Sequence, residues 1–267
     1  MNILSLKNLS ISFGGLKAID NLSLEVAEKS IYGLIGPNGA GKTTVFNCIS
    51  RFYKPDEGQM IFRPYVKGIA EEYNLADYAV HEVIGLGLAR TFQNVELFRS
   101  MTVLENLIIG EHFRTKGGVL AQGFSLPKVR REEKRIREKA MEVLDFLGIP
   151  HIAYQYAISQ PYGVQKLIEL GRALLSEPKL LLLDEPAAGM DQTETEELAQ
   201  RIRQIKDKYE MSILLVEHDM GFVMNICERI CAISFGKKLA EGSPTDIQNN
   251  SAVQEAYLGK GDEEDAS

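Results

Sequence analysis

IYGLIGPNGAGKTTVFNCI, residues 31–49, is an apolar run, a glycine-rich loop and a helical repeat in direct succession. Ile31 to Ile35 predicts a short buried strand, and Val45, Phe46 and Ile49 fall at helical spacing. Between them, Gly36-Pro37-Asn38-Gly39-Ala40-Gly41-Lys42-Thr43-Thr44 matches G-x-x-x-x-G-K-[ST]. Glycine lets such a loop curl so that its backbone N–H groups converge on a phosphate. The helix that follows adds its positive end to the same anion site. In this arrangement Lys42 reaches the β and γ phosphates, Thr43 offers its hydroxyl to Mg²⁺, and Thr44 donates to a phosphate. A glycine-rich turn with an incidental lysine would not need a strand before it and a helix after it.

Further along, Leu180 to Leu183 predicts a second buried strand, ending in Asp184 and Glu185. In an open α/β sheet the carboxyl ends of the strands face the ligand. Asp184 there is a candidate for Mg²⁺, and Glu185 for the general base that activates water. Taken alone, the pair could be a solvated loop. Alternation predicts strands over 3–13 and 19–26, and shorter strands at Gln59 to Phe62, Ala89 to Gln93, Ile213 to Val216 and Ile230 to Phe235. A short helix is expected near 78–84. Thr102 and Glu105 form a capping box, and helices are expected over Lys128 to Leu147, Pro161 to Leu175, Gln192 to Tyr209 and from Met220. Ala140, Val143, Leu144 and Leu147 make one apolar stripe. Buried strands separated by helices imply an α/β fold with a mostly parallel sheet covered on both faces.

The chain has 267 residues, of which 45% are hydrophobic and 25% charged, enough for one sizeable core. A formal net charge of -7 argues against general nucleic-acid binding. No stretch approaches the roughly 20 apolar residues of a membrane span, and the first residues lack a signal-peptide pattern. Cys48, Cys227 and Cys231 give no disulfide framework. Cys227 and Cys231, four apart, would share a face if their stretch were helical, and read as buried thiols. The final GDEEDAS, residues 261–267, reads as an acidic disordered tail beginning near residue 260.

With these motifs in this order, the chain resembles ATP-binding subunits of ABC transporters over nearly its whole length, most closely the branched-chain amino acid class. The resemblance implies a P-loop NTPase core with an antiparallel β subdomain and an α-helical signature subdomain, about 94–176, within a domain spanning 1–259. It implies that Phe13 stacks on adenine, as a flat ring can. It makes Gln93, in ARTFQ, the loop glutamine that senses Mg²⁺, water and the membrane partner. It makes His218, in VEHD, the switch histidine at the γ phosphate. RTFQNVELFRSMTVLENLIIGEH at 90–112, the glycine-bearing insert after it and DEPAAGMD at 184–191 carry the subclass likeness, with Asp191 in a loop that touches the opposite subunit.

What the resemblance implies for function is an ATPase at the cytoplasmic face of the cell membrane, with ATP and Mg²⁺ as its cofactors. Its partners would be transmembrane permeases docking near residues 93–114, a second ATPase subunit, different or identical, and indirectly a substrate-binding protein. ATPases for urea and amide import and for lipopolysaccharide export resemble the same group, so the cargo stays open. A regulatory nucleotide-binding subunit with weak turnover is a further alternative. One departure stands out. Where the family has LSGGQ or LSYGQ, this chain has Gln160-Pro161-Tyr162-Gly163-Val164, followed by Gln165. Pro161 supplies neither the hydroxyl nor the N–H that a serine would offer the opposite nucleotide. Tyr162 and Gly163 remain as nucleotide-facing positions, at a helix start that Pro161 is expected to open.

Overall fold

The computed structural model describes residues 1–66, 69–111 and 127–258. The chain divides into two compact units, one of Met1–Arg90 with Lys179–Ser267, the other Thr91–Pro178. In chain order the first unit begins with β1 (Asn2–Phe13), β2 (Leu16–Ala27), β3 (Ile31–Ile35) and α1 (Lys42–Ile49). β4 (Glu57–Phe62), the two-residue strands β5 (Tyr65–Val66), β6 (Ile69–Ala70) and β7 (Tyr73–Asn74), the single turn α2 (Val80–Val83) and β8 (Leu88–Arg90) follow. The second unit holds α3 (Val103–Ile109), α4 (Pro127–Phe146) and α5 (Tyr162–Leu175). The chain then returns to the first unit with β9 (Leu180–Asp184), α6 (Gln192–Tyr209), β10 (Ser212–Val216) and α7 (Met220–Ile226). It closes with β11 (Arg229–Ser234), β12 (Lys237–Gly242), α8 (Pro244–Gln248) and α9 (Ser251–Leu258).

Two sheets organise the first unit. One is antiparallel in the order β2-β1-β4-β7; the other has the order β12-β11-β3-β10-β9-β8. In the second sheet every pairing is parallel except that of β12 with β11. β3, β9 and β10 are buried at every residue, which is why Ile31 to Ile35, Leu180 to Leu183 and Ile213 to Val216 read as apolar runs. Leu4, Leu6 and Met60 of the antiparallel sheet share a core with Phe46 of α1 and Leu34, Leu182 and Leu214 of the parallel one.

The second unit is helical. Thr102 caps α3 as expected: Oγ1 accepts from Glu105 N at 3.3 Å and Glu105 Oε2 accepts from Thr102 N at 2.8 Å. The stripe Ala140, Val143, Leu144 and Leu147 is buried. α3 meets α5 closely at Gly110, where an added Cβ would lie 2.0 Å from the Arg172 carbonyl oxygen. Backbone cannot yield as a flexible side chain does. Gly110→Ala is therefore expected to lower unfolding free energy by about 1–3 kcal/mol. A lower urea midpoint checks this; an unchanged midpoint would show that the helices part at no cost.

Several sequence expectations are corrected. The strand expected over Ala89 to Gln93 ends at Arg90, leaving Gln93 on an irregular segment. Pro161 stands one position before α5, as its N-cap with no side-chain cap bond, rather than inside its first turn. Cys227 follows α7 and Cys231 lies on β11, so the stretch between them is not helical and the condition for a shared face is not met. Both thiols are buried, and burial pushes each up to about 12. The glycine-bearing insert and the acidic tail lie outside the described residues. No described helix is long and apolar enough to cross a membrane.

Candidate active site

The register of the parallel sheet assembles the site. Val216 pairs with Asp184 on one side and with Leu34 on the other. The residues that follow β3, β9 and β10 therefore leave the sheet along one edge: Gly36, Glu185, and Glu217 with His218. The glycine loop fits its place because side chains would not. A Cβ on Gly36 would lie 2.2 Å from the Ile233 carbonyl oxygen. One on Gly41, whose φ is +102°, would lie 2.7 Å from that of Ala18. Gly41 is the N-cap of α1, and Lys42 is its first residue. Lys42 is buried, and its Nζ donates to the carbonyls of Gly36 at 2.6 Å and Pro37 at 3.2 Å. The loop thus wraps the ammonium group.

A cavity of about 440 Å³ opens beside this loop. Its lining includes Phe13, Ala18, residues 38–44, Glu185 and Phe235. Such a volume is ordinary for a small-molecule site. Phe13 is 44% exposed, and its ring meets that of Tyr53 edge-on at 5.1 Å between centroids. The residue therefore keeps apolar surface open beside the cavity.

Glu185 and His218 come together: Nε2 of the imidazole lies 2.9 Å from Oε2 of the carboxylate. Glu185 has φ +49°, a left-handed conformation costly for a side chain of this size. Its N–H donates to the Val216 carbonyl at 2.9 Å, which ties the turn after β9 to the end of β10. Glu217, fully buried, makes a second tie. Its Oε1 accepts from Ala187 N at 2.7 Å, and its Oε2 from His218 N at 2.9 Å. Sequence reading missed Glu217; its signal was a carboxylate directly after the apolar run Ile213 to Val216.

Asp184 is also buried. Its Oδ2 accepts from Arg90 Nη2 at 2.7 Å, and Arg90 Nη1 donates to Asn47 Oδ1 and Ser50 Oγ of the α1 segment. Arg90, another residue not foreseen, joins β8, β9 and the end of α1. Asp184 Oδ1 is buried without a hydrogen-bond partner among the described residues. A buried carboxylate oxygen left over in this way suits a hard cation. One carboxylate, the Thr43 hydroxyl and phosphate oxygens form the sparse oxygen set that Mg²⁺ takes. Among the described residues no three His, Cys, Asp or Glu cluster as a metal cage.

Gln93 and the stretch Pro161 to Val164 belong to the second unit. Gln93 is exposed on a segment fastened to α5 at both ends. Glu169 Oε1 accepts from Phe92 N at 3.4 Å, and Arg172 Nη1 donates to the Glu96 carbonyl at 2.5 Å. Burial pushes the Glu169 carboxyl up to about 7, against the pull of Arg172. Tyr162 and Gly163 form the first turn of α5. The Gln165 amide donates to the carbonyls of Gln160 at 2.8 Å and Ile158 at 3.2 Å, so it folds back on the preceding loop.

The phosphate loop, the strand-end carboxylates and the histidine thus share one sheet edge, and comparison with known proteins accounts for that arrangement. The family model described as ABC transporter matches residues 19–188. The chain belongs to the ABC transporter family. A second model, described as branched-chain amino acid ATP-binding cassette transporter, matches residues 237–263 of the cassette. The cassette is 41% identical over 258 residues to the high-affinity branched-chain amino acid transport ATP-binding protein LivG of Salmonella typhimurium, covering 97% of this chain and 98% of that one. It is 39% identical over 258 residues to the protein BraF of the same description from Pseudomonas aeruginosa, with the same coverage. Among solved structures it resembles an ATP-binding cassette from an ABC transporter in a nucleotide-free crystal, with TM-score 0.82 and 32% identity over 97% of this chain and 100% of that one. An ABC transporter cassette in its ADP conformation matches with the same figures. The cassette is an ATPase that drives transport.

Proposed function

We propose that this cassette powers the import of branched-chain amino acids, hydrolysing ATP at the edge where Glu185 meets His218. The 2.9 Å contact between those two side chains is the observation that carries the catalytic part. Full-length similarity to LivG and BraF supports the cargo. Lys42 and the N–H groups of residues 38–44 bind the phosphates, with Thr44 as a further donor. Phe13 covers adenine. Thr43 and Asp184 are the groups of the first unit that would hold Mg²⁺, which when bound neutralises charge on the phosphate oxygens, and Gln93 is the glutamine that the family likeness assigns to sensing it. Glu185 takes a proton from the attacking water, and the water oxygen bonds to the γ phosphorus as the bond to the β-phosphate oxygen breaks. His218 holds Glu185 in place and contacts the γ phosphate. ADP and inorganic phosphate leave.

The cassette works on the cytoplasmic face of the membrane with transmembrane permeases and, through them, a binding protein. A second ATPase subunit supplies the signature that completes the site, while Tyr162 and Gly163 of this chain face the partner's nucleotide. Reconstitution with the permeases in vesicles tests the cargo. ATP-dependent uptake of labelled leucine, with no uptake of urea, is the expected result. The reverse preference would move the cassette to another transporter class.

Pro161 favours an asymmetric pair. A missing charged hydrogen bond is worth about 1.5–3 kcal/mol in good geometry. Restoring the family residues, Pro161→Ser with Val164→Gln, is expected to speed single-turnover hydrolysis by roughly 10- to 100-fold. The gain should fall at the site built on the partner's phosphate loop and leave the Lys42 site unchanged. Equal rates before and after would mean that the N–H groups at the start of α5 suffice.

A further inference from the structure

Phe235 is not used by any of the chemistry above. With Gly236 it forms the two-residue turn between β11 and β12. Both residues have positive φ, +47° and +76°. Such turns favour Asn-Gly, because asparagine tolerates the left-handed region and a bulky aromatic does not. The Phe235 side chain is also 82% exposed. One residue therefore combines backbone strain with bare apolar surface, and strain of this kind gathers where a ligand is held.

The turn is pinned. Gly236 N–H donates to the Ala40 carbonyl of the phosphate loop at 3.0 Å, and its own carbonyl accepts from Asp20 N at 2.9 Å. A Cβ on Gly236 would lie 2.6 Å from the Ala18 carbonyl oxygen of β2. Phe235 is thus held against the phosphate loop, and it lines the same cavity as Phe13 and Lys42. A phosphate gains nothing from a hydrocarbon ring. The base and the carbon face of a ribose do, because covering the ring removes apolar surface from water on both sides.

We propose that Phe235 is a second aromatic contact for the nucleoside part of ATP, alongside Phe13. This rests on the cavity being the ATP site. Calorimetric titration of the full chain with Mg²⁺-ATP and with Mg²⁺-tripolyphosphate separates the nucleoside from the phosphates. Phe235→Asn is expected to weaken ATP binding about 5- to 20-fold, in the range for loss of one aromatic–base contact. It should leave tripolyphosphate affinity unchanged, and it should raise the thermal midpoint of the chain without nucleotide by relieving the turn. Phe235→Trp should keep ATP affinity within about threefold, since a larger flat ring offers the same face. A higher midpoint with unaltered ATP affinity would overturn the proposal, leaving the turn a structural feature alone. So would equal losses for ATP and tripolyphosphate. A wild-type chain that binds neither would refute the ATP-site reading itself, a result distinct from the failure of Phe235.

Discussion

Glu185→Gln is expected to bind ATP as the wild type does and to hydrolyse it about 10²- to 10⁴-fold more slowly in a single turnover. The amide keeps the shape of the carboxylate and loses its basicity. It also keeps the surroundings: the backbone tie of residue 185 to Val216 and the grip of Glu217 on Ala187 and His218 do not involve the altered atoms. Quenched-flow hydrolysis with saturating enzyme measures the step directly, and calorimetry checks that the nucleotide still binds. A rate within threefold of wild type would remove Glu185 from the role of base. His218→Ala makes a useful companion, because it removes the 2.9 Å partner of Glu185 and leaves the carboxylate in place.

Lys42→Ala is the second large effect. The Lys42 ammonium is buried and donates to the carbonyls of Gly36 and Pro37, so the loop is closed around a cation. Without it, converging carbonyls and phosphate oxygens face each other with no positive charge between them. ATP affinity is expected to fall about 10- to 100-fold and turnover about 10²- to 10³-fold. Lys42→Arg should not restore turnover, because a planar fork does not fit a space shaped for a point charge. Unchanged affinity and turnover in the assembled transporter would sink the assignment of the loop.

The parts legible in the sequence were those with short-range causes. The apolar run 31–35, the glycines after it and the helical spacing of Val45, Phe46 and Ile49 encode strand, loop and helix within 19 consecutive residues. The capping box at Thr102 and Glu105 is equally local. What escaped depends on partners far along the chain. Arg90 and Asp184 are 94 residues apart, and nothing near Arg90 announces that its charge will be buried against a strand end. Nor does Val216-Glu217-His218 disclose that Glu217 will bond to Ala187, 30 residues earlier. β12 carries Lys237, Lys238 and Glu241 on an edge strand, where charge masks the alternation that reveals a buried one. Phe235 read as the end of a strand, since aromatic residues favour strands and its positive φ is set by tertiary contacts.

The fastening of residues 92–96 to α5 has a mechanical consequence. Glu169 and Arg172 grip that segment from the second half of a 14-residue helix, and Tyr162 and Gly163 stand at the other end of the same rod. Tyr162 and Glu169 are seven positions apart, roughly 10 Å at the rise of an α-helix. Helices curve only gently, with radii on the order of 60–100 Å, so the two ends keep a nearly fixed relation over that distance. Gln93 and the first turn of α5 are therefore linked through one helix: a displacement of the segment around Gln93 is passed along α5 toward Tyr162 and Gly163.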